Sequence, residues 1–524
     1  MSGTPFYITT AISYPNGRPH IGHAYEAIAA DTIARFQRMQ GREVRFQTGT
    51  DEHGLKMVQT ARDKGVEVRD LAREMSDQFQ AMCDALNVSY DHFQRTTDPA
   101  HHRASVAIWE AMKAKDDLYL DRYEGWYSVR DEAFYEEKEL TESEGGQRLS
   151  PQGTPVEWTV EESWFFKLSK YEKPLLELYE HERNFIQPDS RRNEVIRFVE
   201  GGLRDLSISR TSFDWGVKVP GSPDHVMYVW VDALTNYLTG LGYPDATPEM
   251  AKFWPADLHL IGKDIVRFHA VYWPAFLMSA DIALPKAVFG HGFLLARDGA
   301  KMSKSAGNVV DPMALAERYG VDAFRYFLMR EVSFGQDGTW SEEAIVTCCN
   351  ADLANNFGNL AQRVLSMIFK NLDGVLPNYE GVKVAEDTDT FMLVQATCTT
   401  AFPTTFNELG ISNALQGWFM TASACNRYMD FTAPWALKKT DPEAMATVLG
   451  ILFVAIAHLA VVISPVIPEA ANKLLDQMGM PKDKRNQKGI ATLDWYADLA
   501  SSDFRLGAPT PIFPRLELPA AVEA

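Results

Sequence analysis

Residues 6–49 read as one unit, and no other stretch limits the possible folds as much. Phe6-Tyr7-Ile8-Thr9-Thr10-Ala11-Ile12 is a short apolar, β-prone run, broken by Pro15-Asn16-Gly17. From Gly22 onward Ile28, Ala29, Ile33, Phe36 and Met39 fall at helical spacing, and Gly41 supplies a C-terminal stop. Val44-Arg45-Phe46-Gln47-Thr48-Gly49 is a second strand. Strand, loop, helix and strand in that order open a parallel, doubly wound sheet, where ligands sit at the carboxyl ends of the strands.

His20 and His23 flank Gly22 at the mouth of that helix. Residues three apart share a helix face, so both rings can point at one site. A helix N-terminus favours an anion through its N–H groups and dipole. Gly22 leaves room for close approach of a ligand. Imidazoles placed here can donate to a phosphate as charge develops on it. Alone, the pair is about as compatible with two exposed loop histidines, and a little less so with metal ligation.

A second cluster lies far along the chain. Lys301-Met302-Ser303-Lys304-Ser305 stands between Gly299 and Gly307, after a strand signal. Ammonium groups on a Gly-flanked loop suit the β- and γ-phosphates of a leaving pyrophosphate; a solvated basic loop is the plainer alternative. No Walker A loop and no G-x-G-x-x-G fingerprint occurs, which argues against kinases and dehydrogenases.

The length of 524 residues predicts three or four domains at ~100–200 residues each. A net charge of −19 argues against a protein that coats nucleic acid nonspecifically, since that affinity comes from Lys and Arg on phosphates. It leaves room for a specific RNA partner through local basic clusters such as Arg191-Arg192 and residues 482–488. Five cysteines without a paired framework fit a reducing compartment, and the N-terminal residues carry no secretory signal, so a cytoplasmic location is expected. Residues 448–463 are apolar but interrupted by Gly450 and His458. They fall short of the ~20 residues of a membrane span, so a buried helix and no membrane association are expected.

Further strand signals occur at residues 226–230, 258–261 and 287–289, and the pattern is helical from about Ser341 to Met478, with Leu353, Phe357, Leu360, Val364 and Ile368 on one face. The intervening stretch 114–221 is rich in Tyr, Trp, Glu and Arg and reads as an insertion.

The two clusters, in this order and on these elements, resemble the signature of class I aminoacyl-tRNA synthetases, and the surrounding residues resemble the methionyl-tRNA synthetase family. The resemblance spans about Phe6 to Met478. It implies a Rossmann-like α/β catalytic sheet with an inserted connective module, followed by an all-α helical-bundle anticodon-binding domain. The implied division is a catalytic first half 1–113, the module 114–221, a catalytic second half 222–294, a lysine-loop and stem-contact linker 295–340, the helical domain 341–478 and a C-terminal extension 479–524 that packs back. The implied activity is a methionine–tRNA ligase. L-Methionine attacks ATP, assisted by Mg²⁺, and the methionyl-adenylate is passed to tRNA(Met), with AMP and pyrophosphate as products.

The same resemblance carries roles onto residues. His20, His23, Lys301 and Lys304 are the catalytic set, and ATP is held by these with Gly22, Asp264 and Ser303. Methionine is received by Ala11, Ile12, Tyr14, Asp51, Trp230, Ala233, Tyr237, Ile265, His269 and Trp273, with Asp51 taking the ammonium group. Such a set suits a flexible thioether, because sulfur–aromatic contacts are favourable by ~0.3–1.5 kcal/mol. Tyr14 and His269 are expected to hydrogen-bond the sulfur weakly. Leu234 stands where the family often has proline. Asn359 and Arg363, one helical turn apart, and Trp435 resemble the family's contacts to a CAU anticodon. Where many relatives hold structural zinc through C-x-x-C pairs, this chain has Ser128 and Asp131, then Leu149-Ser150-Pro151-Gln152-Gly153, and no cysteine between 114 and 221. Zinc needs about four N or S ligands, so no zinc is expected.

Other readings are a class I synthetase for another amino acid, a small-molecule nucleotidyltransferase, and a non-catalytic RNA-binding relative. The spacing from His23 to Lys301 is too short for the large editing insertion of the leucine, isoleucine and valine enzymes. No cysteine near the pocket motifs could hold the zinc of the cysteine enzyme. Homocysteine, one methyl short, is the expected misfit substrate, with editing in the same site by family analogy. With no appended domain after Ala524, a monomer is expected.

Overall fold

The computed structural model describes residues 3–131, 133–143, 145–296, 299, 310–377 and 385–519. The chain divides into two compact units. One holds residues 5–30 and 44–291, the other residues 1–4, 31–43 and 292–524.

The first unit is built on a six-stranded sheet. Its strands are β1 (Pro5–Thr10), β2 (Glu43–Thr50), β3 (His92–Arg95), β4 (Ile186–Gln187), β5 (Leu258–Gly262) and β6 (Val288–His291). Their spatial order is β3-β2-β1-β5-β6-β4. Gln47 pairs with His92, Ile8 with Leu258, His259 with Val288, and Val288 with Ile186, all in parallel. Residues 6–10 of β1 are all buried, as a parallel strand covered on both faces requires. The chain winds outward from β1 through β2 to β3, reaches the opposite edge with β4, and returns to the other side of β1 with β5. That reversal opens the crevice where such sheets bind ligands.

Two sequence expectations change here. Residues 226–230 do not form a strand of this sheet. Strand Ser222–Met227 pairs antiparallel with Ser209–Arg210 and Lys218–Val219, and Trp230 lies on a helix, Val229–Thr239. That helix is buried from Val231 to Thr239, so its β-branched residues are held helical by packing rather than by propensity. Also, Ile186–Gln187, inside the stretch read as an insertion, adds an edge strand to the central sheet.

Within the same stretch Leu118–Ser128 pairs antiparallel with Glu157–Phe166. At one end Ser128, Asp131, Ser150 and Thr154 are hydrogen-bonded together. Ser128 Oγ is 2.7 Å from Thr154 Oγ1, and Ser150 Oγ is 2.8 Å from the same atom. Asp131 Oδ2 accepts from Ser150 Oγ at 2.6 Å and from Tyr135 Oη at 3.1 Å. Trp126 packs edge-on against Trp158 and beneath the Arg148 guanidinium.

The second unit is helical. Helix Ile21–Met39 gives its residues from Asp31 onward to it, where Phe36 stacks on Phe406 at 4.2 Å. Asp31 meets the fully buried Arg325 at 2.6 Å, and Arg325 Nε donates to the Val466 carbonyl at 2.9 Å. Helix Pro442–Ile463 is long and apolar enough to cross a membrane, but every residue from Thr447 to Ile463 is buried among the surrounding helices. The predicted apolar face, Leu353, Phe357, Leu360, Val364 and Ile368, is buried throughout. The C-terminal stretch lies back on these helices: Leu516 N–H donates to Asn350 Oδ1 at 2.8 Å, and Leu506 N–H to the Gly374 carbonyl at 2.8 Å.

Candidate active site

Beyond β1 the chain runs along the end of β2. Ser13 N–H donates to the Gly49 carbonyl and Asp51 N–H to the Ser13 carbonyl, both at 2.9 Å. The helix with the histidines begins at Ile21, so His20 lies just outside it and His23 within its first turn. The His20 carbonyl accepts from His23 N–H at 2.9 Å. The two rings stack with centroids 3.8 Å apart. His23 lines a cleft with Thr10, Ser13, Thr48 and Gly49, at the carboxyl ends of β1 and β2.

The backbone also sets the ring protons. Gly22 N–H donates to His20 Nδ1 and His20 N–H donates to His23 Nδ1, both at 3.1 Å. A neutral imidazole whose Nδ1 accepts carries its proton on Nε2. Both rings are thereby held as Nε2–H donors. A Cβ on Gly22 would lie 3.0 Å from His20 Cε1. The glycine therefore makes room for the histidine ring, where the sequence suggested room for a ligand.

The aromatic cluster expected to receive methionine comes from two neighbouring elements. Helix Val229–Thr239 presents Trp230, Ala233 and Tyr237. After β5 a short turn carries Asp264 and Ile265, and a widened, π-type turn at Phe268–Tyr272 carries His269. The widening has a local cause. Pro274 has no N–H to give the Ala270 carbonyl, and the Tyr179 hydroxyl donates to it instead at 2.6 Å. Trp230 stacks on Phe268 at 3.9 Å, and Trp273, fully buried, sits 6.0 Å from the Tyr237 ring. Ala11 and Ile265 pack against the same apolar cluster, and Ile12 is half-buried. Tyr14 Oη accepts the Met57 N–H at 3.0 Å.

His269 differs from expectation. Its Nδ1–H donates to the Ile265 carbonyl at 3.0 Å, and its Nε2 accepts from the Tyr237 hydroxyl at 2.6 Å. Both nitrogens are engaged within the protein, which leaves neither ring nitrogen to meet a ligand sulfur in this geometry. Burial lowers its pKa to about 4 and raises that of Tyr237 well above the usual value.

Lys301, Ser303 and Lys304 lie outside the described residues. In the helical unit Asn359 is exposed at the start of helix Asn359–Asn371. One turn on, Arg363 donates to Asp430 Oδ1 at 2.8 Å, and its guanidinium sits 5.4 Å from the centroid of the Trp435 ring. Trp435 is 47% exposed, so it does not cap the core.

Comparison with known proteins decides the family. The model described as tRNA synthetases class I (M) matches residues 6–365, and that of the anticodon binding domain of methionyl tRNA ligase matches residues 381–501. This chain belongs to the class I methionyl-tRNA synthetases. The methionine–tRNA ligase of Rhizobium meliloti is 56% identical over 522 residues, covering 99% of each chain. That of Brucella suis is 54% identical over 519 residues, covering 98% of each. The Mycobacterium tuberculosis methionyl-tRNA synthetase bound by methionyl-adenylate superposes with a TM-score of 0.92, at 52% identity, covering 98% of this chain and 100% of that one.

Several residues that touch the candidate residues of this methionyl-tRNA synthetase escaped the sequence reading. Phe268 is the ring on which Trp230 lies. Asp430 holds Arg363 over Trp435. Asp232 accepts from His53 and His101, each at 2.6 Å. His53 and Asp232 stand inside the very segments that carry Asp51 and Trp230, but nothing in their spacing says that they meet. Among the described residues no group of three or more His, Cys, Asp or Glu is placed to hold a metal ion.

Proposed function

We propose that this chain joins L-methionine to tRNA(Met) in two steps. The methionine carboxylate attacks the α-phosphorus of ATP and pyrophosphate leaves. A ribose hydroxyl at the tRNA 3′ end then attacks the adenylate carbonyl and AMP leaves. The observation that carries the reading is the pair of imidazoles, held as Nε2–H donors at the mouth of a helix. Such donors stabilise charge that grows on the α-phosphate, and positioning supplies most of the rest.

In this reading Lys301, Ser303 and Lys304 meet the β- and γ-phosphates, and Asp264 and Gly22 complete the ATP site with associated Mg²⁺. Asp51 takes the substrate ammonium. Ala11, Ile12, Tyr14, Trp230, Ala233, Tyr237, Ile265 and Trp273 line the side-chain pocket, with His269 behind Tyr237. Asn359, Arg363 and Trp435 read a CAU anticodon. The hydrogen-bonded cluster at Asp131 serves in place of zinc. The enzyme works as a cytoplasmic monomer without a membrane partner, and in this reading the roles divide at 113, 221, 294, 340 and 478, with Ile186–Gln187 lending an edge strand to the catalytic sheet.

Methionine-dependent exchange of pyrophosphate into ATP, with homocysteine and leucine as competitors, tests the reading. Exchange is expected with methionine and, more weakly, with homocysteine. Exchange driven equally well by leucine overturns it.

A further inference from the structure

A buried hydrogen-bonded bridge stands behind the pocket. Asp232 lies in the first turn of helix Val229–Thr239, between Trp230 and Ala233, and its side chain is 1% exposed. Oδ2 is 2.6 Å from His53 Nδ1, and Oδ1 is 2.6 Å from His101 Nε2. The carboxylate accepts from both rings, which hold its pKa well below the usual carboxylate range despite full burial. His53 is also packed edge-on against Trp215 at 5.4 Å.

The loop that carries His53 is tied down one residue earlier as well. The Trp215 indole N–H donates to the Glu52 carbonyl at 2.7 Å. Glu52 N–H donates to Thr96 Oγ1 at 2.9 Å, and Arg95 Nε donates to Glu52 Oε1 at 2.7 Å. The Thr96 and Arg95 contacts fix the loop to the end of β3, and the Trp215 contact fixes it to the segment between Ser209–Arg210 and Lys218–Val219. Among its hydrogen bonds described above, only His53–Asp232 fixes it to the helix that carries the pocket walls. Asp51 is two residues from one end of the bridge, and Trp230 and Ala233 are two and one from the other.

We propose that the His53–Asp232 hydrogen bond is a positioning contact. It sets the separation between the Asp51 carboxylate and the walls at Trp230 and Ala233, and so the register in which the amino acid is held. The proposal rests on the reading that Asp51 takes the ammonium group. His53 and Asp232 touch no substrate; they act through Asp51.

A double-mutant cycle separates this from general structural support. Methionine Kd is measured by calorimetry, and the KM for ATP in exchange is measured alongside it. His53→Ala is expected to raise methionine Kd about ten-fold, the scale of a lost hydrogen bond to a charged group, with ATP KM unchanged. His53→Asn, whose amide nitrogen takes the place of Nδ1, is expected to recover most of the loss. In an Asp51→Asn background, His53→Ala is expected to add less than about a two-fold change, because the residue it positions is already disabled. Additive losses overturn the proposal, as does an equal loss for ATP. An unchanged Kd in Asp51→Asn alone overturns the reading of Asp51, and the proposal with it. A ten-fold loss in Asp51→Asn beside an inert His53→Ala overturns the proposal alone. If His53→Ala does not fold, His53→Gln takes its place in the cycle, since its amide nitrogen lies beyond the Nδ1 position.

Discussion

The Tyr237 hydroxyl donates to His269 Nε2 at 2.6 Å, while the other nitrogen of the same ring donates to the Ile265 carbonyl at 3.0 Å. The tautomer of His269 and the direction of the Tyr237 hydroxyl are therefore set together, in a place where neither side chain meets water. With both polar ends engaged, the two rings offer carbon edges and faces to their neighbours, and in the proposed function those would suit a thioether better than an alcohol or an amide.

Tyr237→Phe keeps the ring and removes the hydroxyl. His269 Nε2 is then a buried acceptor without a donor, at a cost of about 1–3 kcal/mol. The expected result is a lower melting temperature and a methionine KM raised about ten-fold. Calorimetry and pyrophosphate exchange check it.

Burial holds His269 to about 4, below the ~6.5 of an unfolded histidine. Between those values the unfolded chain takes up a proton that the folded chain refuses. This contribution to stability therefore falls as pH drops from about 6.5 to about 4, is fully lost below that, and is absent as a slope above about 6.5. The loss across the window is about 3 kcal/mol. Urea unfolding of the parent and of His269→Gln at several pH values checks it. The variant is expected to show a shallower slope, by about one proton.

His23→Ala removes one of the two Nε2–H donors proposed to meet the α-phosphate. The expected outcome is a fall of about 100-fold in the exchange rate constant, with methionine Kd changed by less than about two-fold. Rapid-quench adenylation with calorimetry measures both. Equal losses contradict a transition-state role.

Asp131→Ala takes away the carboxylate on which Ser150 and Tyr135 converge. A local loss of about 1–3 kcal/mol is expected, seen as faster hydrogen exchange across residues 126–156. A strong chelator is expected to leave both that exchange and the melting temperature of the parent unchanged. A chelator-induced rise would show that a metal holds this end of the module.

Trp435→Ala removes the exposed ring beside Arg363. Stacking of a base on an aromatic is worth about 1–3 kcal/mol, so aminoacylation kcat/KM is expected to fall about 10–100-fold while pyrophosphate exchange stays level. Matched losses in the two assays reject an anticodon role.

Much of the structure around His20 and His23 is legible in the chain. Two strands, the helix between them and the histidines at its mouth are local patterns, and the six-stranded sheet contains them nearly as read. Trp230 was misplaced onto a strand, because β-branched and aromatic residues look alike in a strand and in a helix buried on all sides. Strand Ile186–Gln187 was missed, since two residues carry no period.

What the sequence by itself determined is the set of local elements and the chemical inventory of the site: imidazoles at a helix mouth, a carboxylate after β2, and aromatics in two segments. Only the tertiary structure decided how those groups are joined. His53 finds Asp232 across 179 positions, and Tyr237 finds His269 across 32. Periodicity and turn chemistry act between near neighbours and can be read along a chain. A buried polar group must instead take whatever partner the packed interior brings to it, and that choice is made in space.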